Sequence, residues 1–153
     1  FEYLPQKIKE KWNDQILKRE SPVNDDSRVF SEWQKSMTNI MNKKGIKFMA
    51  GTDTPIFFQT PGYSLHSELG VMVESGLTNM EAIESATYNP ALYFNLQNEL
   101  GLISEGYIAD LLILTENPLE EISNTRKIKA VIKNGNYMNR KSLDSLLYNQ
   151  SRN

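Results

Sequence analysis

Gly45-Ile46-Lys47-Phe48-Met49-Ala50-Gly51-Thr52-Asp53-Thr54-Pro55 is the stretch on which the reading of this 153-residue chain turns. Ile46 to Ala50 is a short β-like run, and Gly51-Thr52-Asp53-Thr54-Pro55 is a turn-forming cluster that breaks it. Upstream, Val29, Phe30, Trp33, Met37, Ile40 and Met41 recur at three- and four-residue steps. That stripe predicts an amphipathic helix from Asp26 or Ser27 to Gly45, where a left-handed cap is wanted. Helix, tight turn, strand and polar loop make an αβ unit of the kind that builds parallel sheets and barrels. The loop then lies at the strand's C-terminal end, where barrels carry their chemistry.

Working outward, Ile8, Trp12, Ile16 and Leu17 share one face of a helix expected over Pro5 to Lys18, followed by a polar turn at Ser21 to Asp26. After the central loop, Ser64 is an expected N-cap for a helix from Leu65 to Ser75, which Gly76 ends. Thr78 and Glu81 fit a capping box opening a helix through Thr87, and Asn89-Pro90-Ala91 starts another short helical turn. Beyond Leu100 the pattern becomes β-like at Leu102-Ile103, Ala109 to Leu114 and Lys129 to Lys133. Asn134-Gly135 signals a type I′ hairpin into Tyr137-Met138. Leu143, Leu146 and Leu147 suggest a last helix before a polar tail from Tyr148 to Asn153. The fold class is α/β.

Composition narrows the function. Apolar residues make up 39% and charged residues 24%, with a formal charge of −2. No lysine or arginine stripe offers the phosphate-neutralising surface that nucleic acid needs. No apolar run approaches the roughly 20 residues that span a bilayer. Neither nucleic acid nor membrane is an expected partner. The start, Phe1-Glu2-Tyr3-Leu4-Pro5, has no initiator Met and no apolar signal core, and reads as a chain entered midway. There are 0 cysteines, which excludes disulfides and thiolate metal sites and leaves the compartment open.

Asp53 is the first candidate for chemistry, because a carboxylate just after a buried strand sits where barrel enzymes place metal ligands or general bases. The alternative is structural: an Asp in such a turn commonly bonds nearby backbone N–H groups. His66, the single histidine, lies near a helix start beyond an aromatic loop, and either faces the same pocket or serves as a structural hydrogen-bonding residue. Glu68 falls on another part of that helix and reads as solvated or capping. Trp12, Phe57, Phe58 and Tyr63 are candidates to line a pocket, with core packing an equal reading for Trp12.

Gly45 to Thr54, Pro61 to Leu69, Gly76 to Ile83, Ala86-Thr87-Tyr88-Asn89-Pro90-Ala91, Gly101 to Leu111 and Asn117-Pro118-Leu119 also stand in a telling order. From Gly45 to about Leu147 the chain resembles the C-terminal third of the amidohydrolase superfamily, nearest its imidazolonepropionase-like and prolidase-like branch. The resemblance implies the end of a (β/α)8 barrel over residues 1–99, with Ile46 to Ala50 as the last strand. It implies C-terminal strands of a small β-sandwich over 100–140, and a helix and tail over 141–153. Asp53 would match the last-strand aspartate that ligates a metal and shuttles the proton of the attacking water, while His66, Tyr63 and Thr54 would contact substrate.

The implied activity is hydrolysis of carbon–nitrogen bonds in a small amide or peptide-like substrate, with a divalent metal, zinc above others, in the complete enzyme. The family's His-x-His pair, its bridging residue and its two mid-barrel histidines have no counterpart here. The expectation is therefore that this chain binds no metal and is inactive by itself. It would self-associate, pair with the missing N-terminal part, or act as a non-catalytic module completed by another chain.

Overall fold

The computed structural model describes residues 4–18, 25–54 and 58–150. Helices α1 (Gln6–Leu17), α2 (Asp25–Lys43), α3 (Tyr63–Glu74), α4 (Asn79–Ser85) and α5 (Tyr88–Tyr93) come first. Strand β1 (Leu111–Leu114), a 3-10 helix (Ile122–Arg126), strands β2 (Ile128–Lys133) and β3 (Asn136–Asn139), and α6 (Arg140–Gln150) follow. The architecture is mixed α/β with a three-stranded sheet. The expected polar turn at Ser21 to Asp26 and the end of the polar tail fall largely or wholly outside the described residues.

Helix ends follow their sequence signals closely. Gly45, at φ +78°, closes α2: its N–H donates to Asn42 O at 2.8 Å and the N–H of Ile46 to Met41 O at 3.1 Å. Both bonds satisfy carbonyls that a helix end leaves orphaned. Gly76 ends α3 the same way, its N–H reaching Val73 O and that of Leu77 reaching Met72 O. At α4 the capping box is complete: Thr78 Oγ1 accepts from the Glu81 N–H, and Glu81 Oε2 accepts from the Thr78 N–H at 2.7 Å. Ser64 departs from expectation. Helix α3 already begins at Tyr63, and the Ser64 hydroxyl accepts from the Thr60 N–H instead of capping. Pro90 sits third in α5, still within the first turn, where its missing N–H has no intrahelical partner to lose.

Ile46 to Ala50 is the main departure, because it joins no sheet among the described residues. A strand needs a ladder, and here the backbone bonds go to helices: the Ala50 N–H donates to Ser85 O at 2.9 Å, and Asn89 Nδ2 donates to Phe48 O at 2.9 Å. Phe48 and Ala50 are half-buried, while Ile46 and Met49 are exposed. Leu102-Ile103 forms no strand either, and Ile103 is 88% exposed.

The sheet is an antiparallel meander, ordered β1-β2-β3. Asn134 (φ +48°) and Gly135 (φ +76°) give the β2–β3 turn its two left-handed residues, as the hairpin signal predicts. Asp110 ties this turn to β1, accepting from the Asn134 N–H at 2.7 Å and pairing with Lys133. Leu69 from α3, Ala82 from α4 and Ile122 from the 3-10 helix form the core cluster, with Ala50, Met72, Val73, Ile83 and Ala86 packed on it. The stripe of α2 stays largely uncovered: Val29, Phe30, Trp33 and Ile40 are exposed and no residue of α2 is buried.

Candidate active site

The loop carrying Asp53 is held at both ends. Ala50 packs on the core cluster, and the next residue, Gly51, donates its N–H to Glu68 Oε1 at 2.8 Å. At the far end Phe58 meets buried Trp12 edge-on, ring centroids 5.6 Å apart. Two non-glycine residues of this segment adopt positive φ, Asp53 at +50° and Phe58 at +67°. An aromatic residue rarely adopts that conformation, and such strain persists only where the surroundings hold it. Residues 55–57, with Phe57 among them, lie outside the described residues.

Asp53 is exposed and makes no hydrogen bond or ion pair among the described residues. The structural reading of this aspartate asks for bonds from neighbouring N–H groups, and none comes from a described residue; those of residues 56 and 57 lie outside the described residues. Thr54, half-buried, follows it.

Helix α3 supplies the other candidates. His66 Nδ1 lies 3.0 Å from Thr125 Oγ1, and the Thr125 hydroxyl donates to Ile122 O at 2.8 Å. Burial lowers the His66 pKa below the ordinary imidazole value, and the nearby Arg126 charge lowers it further. Arg126 donates to Ser67 Oγ at 2.9 Å and places its guanidinium 5.0 Å from the centre of the exposed Tyr63 ring. Tyr63 and His66 thus gather with Arg126 and Thr125 against the 3-10 helix. No bond joins them to the Asp53 loop among the described residues. The link runs through α3 itself, which carries His66 toward Thr125 and Glu68 toward Gly51.

Glu68 is therefore neither solvated nor a cap. Its Oε2 is buried without a partner among the described residues, as is Gln59 Oε1 in the same loop region. The sequence held one sign of this: Glu68 is the lone acid between Leu65 and Val73, in an otherwise largely apolar part of the helix. Nothing in the local pattern marked Thr125 or Arg126.

Asp53 is a single carboxylate, and no group of three metal-ligating side chains gathers among the described residues. About three protein ligands make a zinc site, so the described donor set does not hold one by itself. A cleft of about 50 Å³ lies at the other end of the 46–50 segment, between Asn42, Lys47, Leu77, Glu84 and Asn89. It has room for a few waters, not a peptide-sized ligand.

The amidohydrolase family model matches residues 16–138. The chain belongs to the amidohydrolase family. As a family member it shares 43% identity over 91 residues with an ochratoxinase of Aspergillus niger, a stretch covering 58% of this chain and 18% of that protein. A crystallised Xaa-Pro dipeptidase with methionine in its active site matches at TM-score 0.62 and 34% identity, over 69% of this chain and 25% of the other. Molinate hydrolase matches at TM-score 0.58 and 29% identity, over 66% and 25%. This amidohydrolase chain thus spans about a fifth of the curated relative and a quarter of the two solved structures.

Proposed function

We propose that this chain provides the last-strand segment and the proton-handling aspartate of a hydrolase that cleaves carbon–nitrogen bonds in small amide or peptide-like substrates. The observation that carries the reading is Asp53: exposed, at positive φ, on a loop held from two sides, with no structural bond of its own among the described residues. A carboxylate so placed accepts the proton of an attacking water and returns it to the leaving nitrogen. Family membership and the hydrolases among the similar proteins support the same reaction class.

In this reading Ile46 to Ala50 is the last strand of a (β/α)8 barrel within residues 1–99, and β1 to β3 belong to a small β-sandwich over 100–140. His66, Tyr63 and Thr54 contact substrate. A divalent metal, zinc by preference, would take Asp53 as one ligand and activate water, its other ligands coming from outside the described donor set. Open sheet edges, the unpaired 46–50 segment and the uncovered Phe30 and Trp33 support pairing with the remainder of the barrel or with a second copy.

A second reading, a non-catalytic module completed by another chain, draws on the incomplete donor set. Metal analysis of the purified chain tests what the two share: stoichiometric zinc in a monomer would overturn both the pairing and the dependence on outside ligands. In the protein that turns over a Xaa-Pro dipeptide or related amide, Asp53→Asn lowers kcat by about 10²- to 10⁴-fold, the range for a lost acid–base group. Unchanged turnover would sink the proposed role of Asp53.

A further inference from the structure

We infer that Thr125 is a positioning residue that fixes His66 as its Nδ1–H tautomer, leaving Nε2 as an acceptor for an N–H or O–H donor on a ligand. A threonine hydroxyl has one proton. That of Thr125 goes to Ile122 O, 2.8 Å away within the 3-10 helix, so toward His66 the oxygen can only accept. The atom 3.0 Å away, His66 Nδ1, must then carry the hydrogen.

Burial, then the Arg126 guanidinium, lower the ring's pKa below its ordinary value, so well above neutral pH the ring carries a single proton. In neutral imidazole one nitrogen donates and the other accepts. Nε2 is therefore a bare lone pair, and no described residue bonds to it. Such a nitrogen repels a carboxylate and takes a donor, the opposite of the neighbouring Arg126. The reverse arrangement, with the hydroxyl donating to Nδ1, would give up the bond to Ile122 O inside a buried turn. Thr125 is itself buried, so its oxygen is shielded from competing water.

The tautomer stands independently of the proposed hydrolase function, while the ligand contact rests on it. The chain has one histidine, so long-range 1H–15N spectra of the 15N-histidine-labelled chain at about pH 8 report His66 alone. Wild type is expected to show a pyrrole-type Nδ1 and a pyridine-type Nε2. Thr125→Val, similar in size without the hydroxyl, moves the population toward the Nε2–H form, and Thr125→Ser restores the original spectrum. A wild-type spectrum with Nε2–H, or a folded Thr125→Val chain that keeps Nδ1–H, overturns the inference. If Thr125→Val does not fold, the wild-type spectrum still decides it.

In the active hydrolase, Thr125→Val raises KM about threefold to tenfold with kcat nearly unchanged, the effect of one lost hydrogen bond. Thr125→Ser brings KM back. A fall in kcat at constant KM would refute the ligand contact while leaving the tautomer standing. The expected spectra together with a failed Asp53 test would instead isolate the fault in the hydrolase reading.

Discussion

Truncating Glu68 to alanine removes the bond that holds the Asp53 loop to α3. The Gly51 N–H to Glu68 Oε1 distance is 2.8 Å, and a hydrogen bond to a charged group contributes roughly 1.5–3 kcal/mol. Two features of the structure reduce that figure. Gly51 is exposed, so its freed N–H is taken up by water, and the same truncation removes Oε2, which is buried without a partner among the described residues. The net expectation is about 1–1.5 kcal/mol, which lowers Tm by about 2–6 °C for a domain of this size. If the loss is local, amide exchange at Gly51 accelerates about tenfold, the equivalent of 1.4 kcal/mol. Glu68→Gln keeps an acceptor for Gly51 and puts a donor where the lone oxygen was, so it should stay within about 0.5 kcal/mol of wild type. Urea unfolding with exchange read by NMR measures both quantities. If the alanine variant is as stable as the glutamine variant, or exchange at Gly51 is unaltered, Glu68 is not what holds the loop.

Two further predictions test the scaffold. Thr78→Ala, which dismantles the capping box of α4, should cost about 1 kcal/mol at pH 7. The Thr78 backbone N–H, then its hydroxyl, hold the Glu81 carboxyl below its ordinary value. A depressed folded pKa gives stability present above the unfolded value and lost as pH falls through the folded one. The urea midpoint of wild type should therefore drop below about pH 4.5 more steeply than that of Thr78→Ala, and parallel curves would count against the box. Gly45→Ala and Gly76→Ala form a matched pair, since both residues have positive φ but only at Gly76 would an added Cβ fall on the Asn39 side chain. Each carries roughly 1–2 kcal/mol of left-handed strain, and Gly76→Ala should lose more in a urea titration. Equal losses would mean that Asn39 moves aside freely.

Signals confined to a few neighbouring residues survived into the structure. Gly45, the Thr78–Glu81 pair and Asn134-Gly135 each specify a conformation through bonds spanning five residues or fewer, and the helix ends and the hairpin follow. The segment Ile46 to Ala50 reads as β-like in the sequence but joins no sheet among the described residues, because a strand is defined by a partner that local sequence does not contain. With no ladder among the described residues, Phe48 and Ala50 spend their backbone groups on Asn89 and Ser85. The stripe of α2 likewise announces an apolar face without saying what lies against it, and Phe30 and Trp33 stack on each other at 5.7 Å while remaining exposed.

The site divides along the same line. Asp53 is a candidate by position alone, since a carboxylate in a turn after a β-like run is visible in a dozen residues. The contacts of Glu68 and His66 were not legible, because Glu68 and Gly51 are 17 residues apart, and His66 and Thr125 are 59 apart. Helical periodicity sorts residues only into core-facing and solvent-facing, and Glu68, beside core residue Leu69, falls into the second class although it faces a loop. Here the two readings of Asp53 part. A turn-forming aspartate offsets the strain of positive φ with bonds from its own carboxylate. Asp53 has none among the described residues, and the loop is instead fixed by Glu68 at one end and by Trp12 and Phe58 at the other. An exposed carboxylate with no bond to a described residue, on a segment fixed through Gly51 and Phe58, is the physical ground on which the chemistry is proposed there.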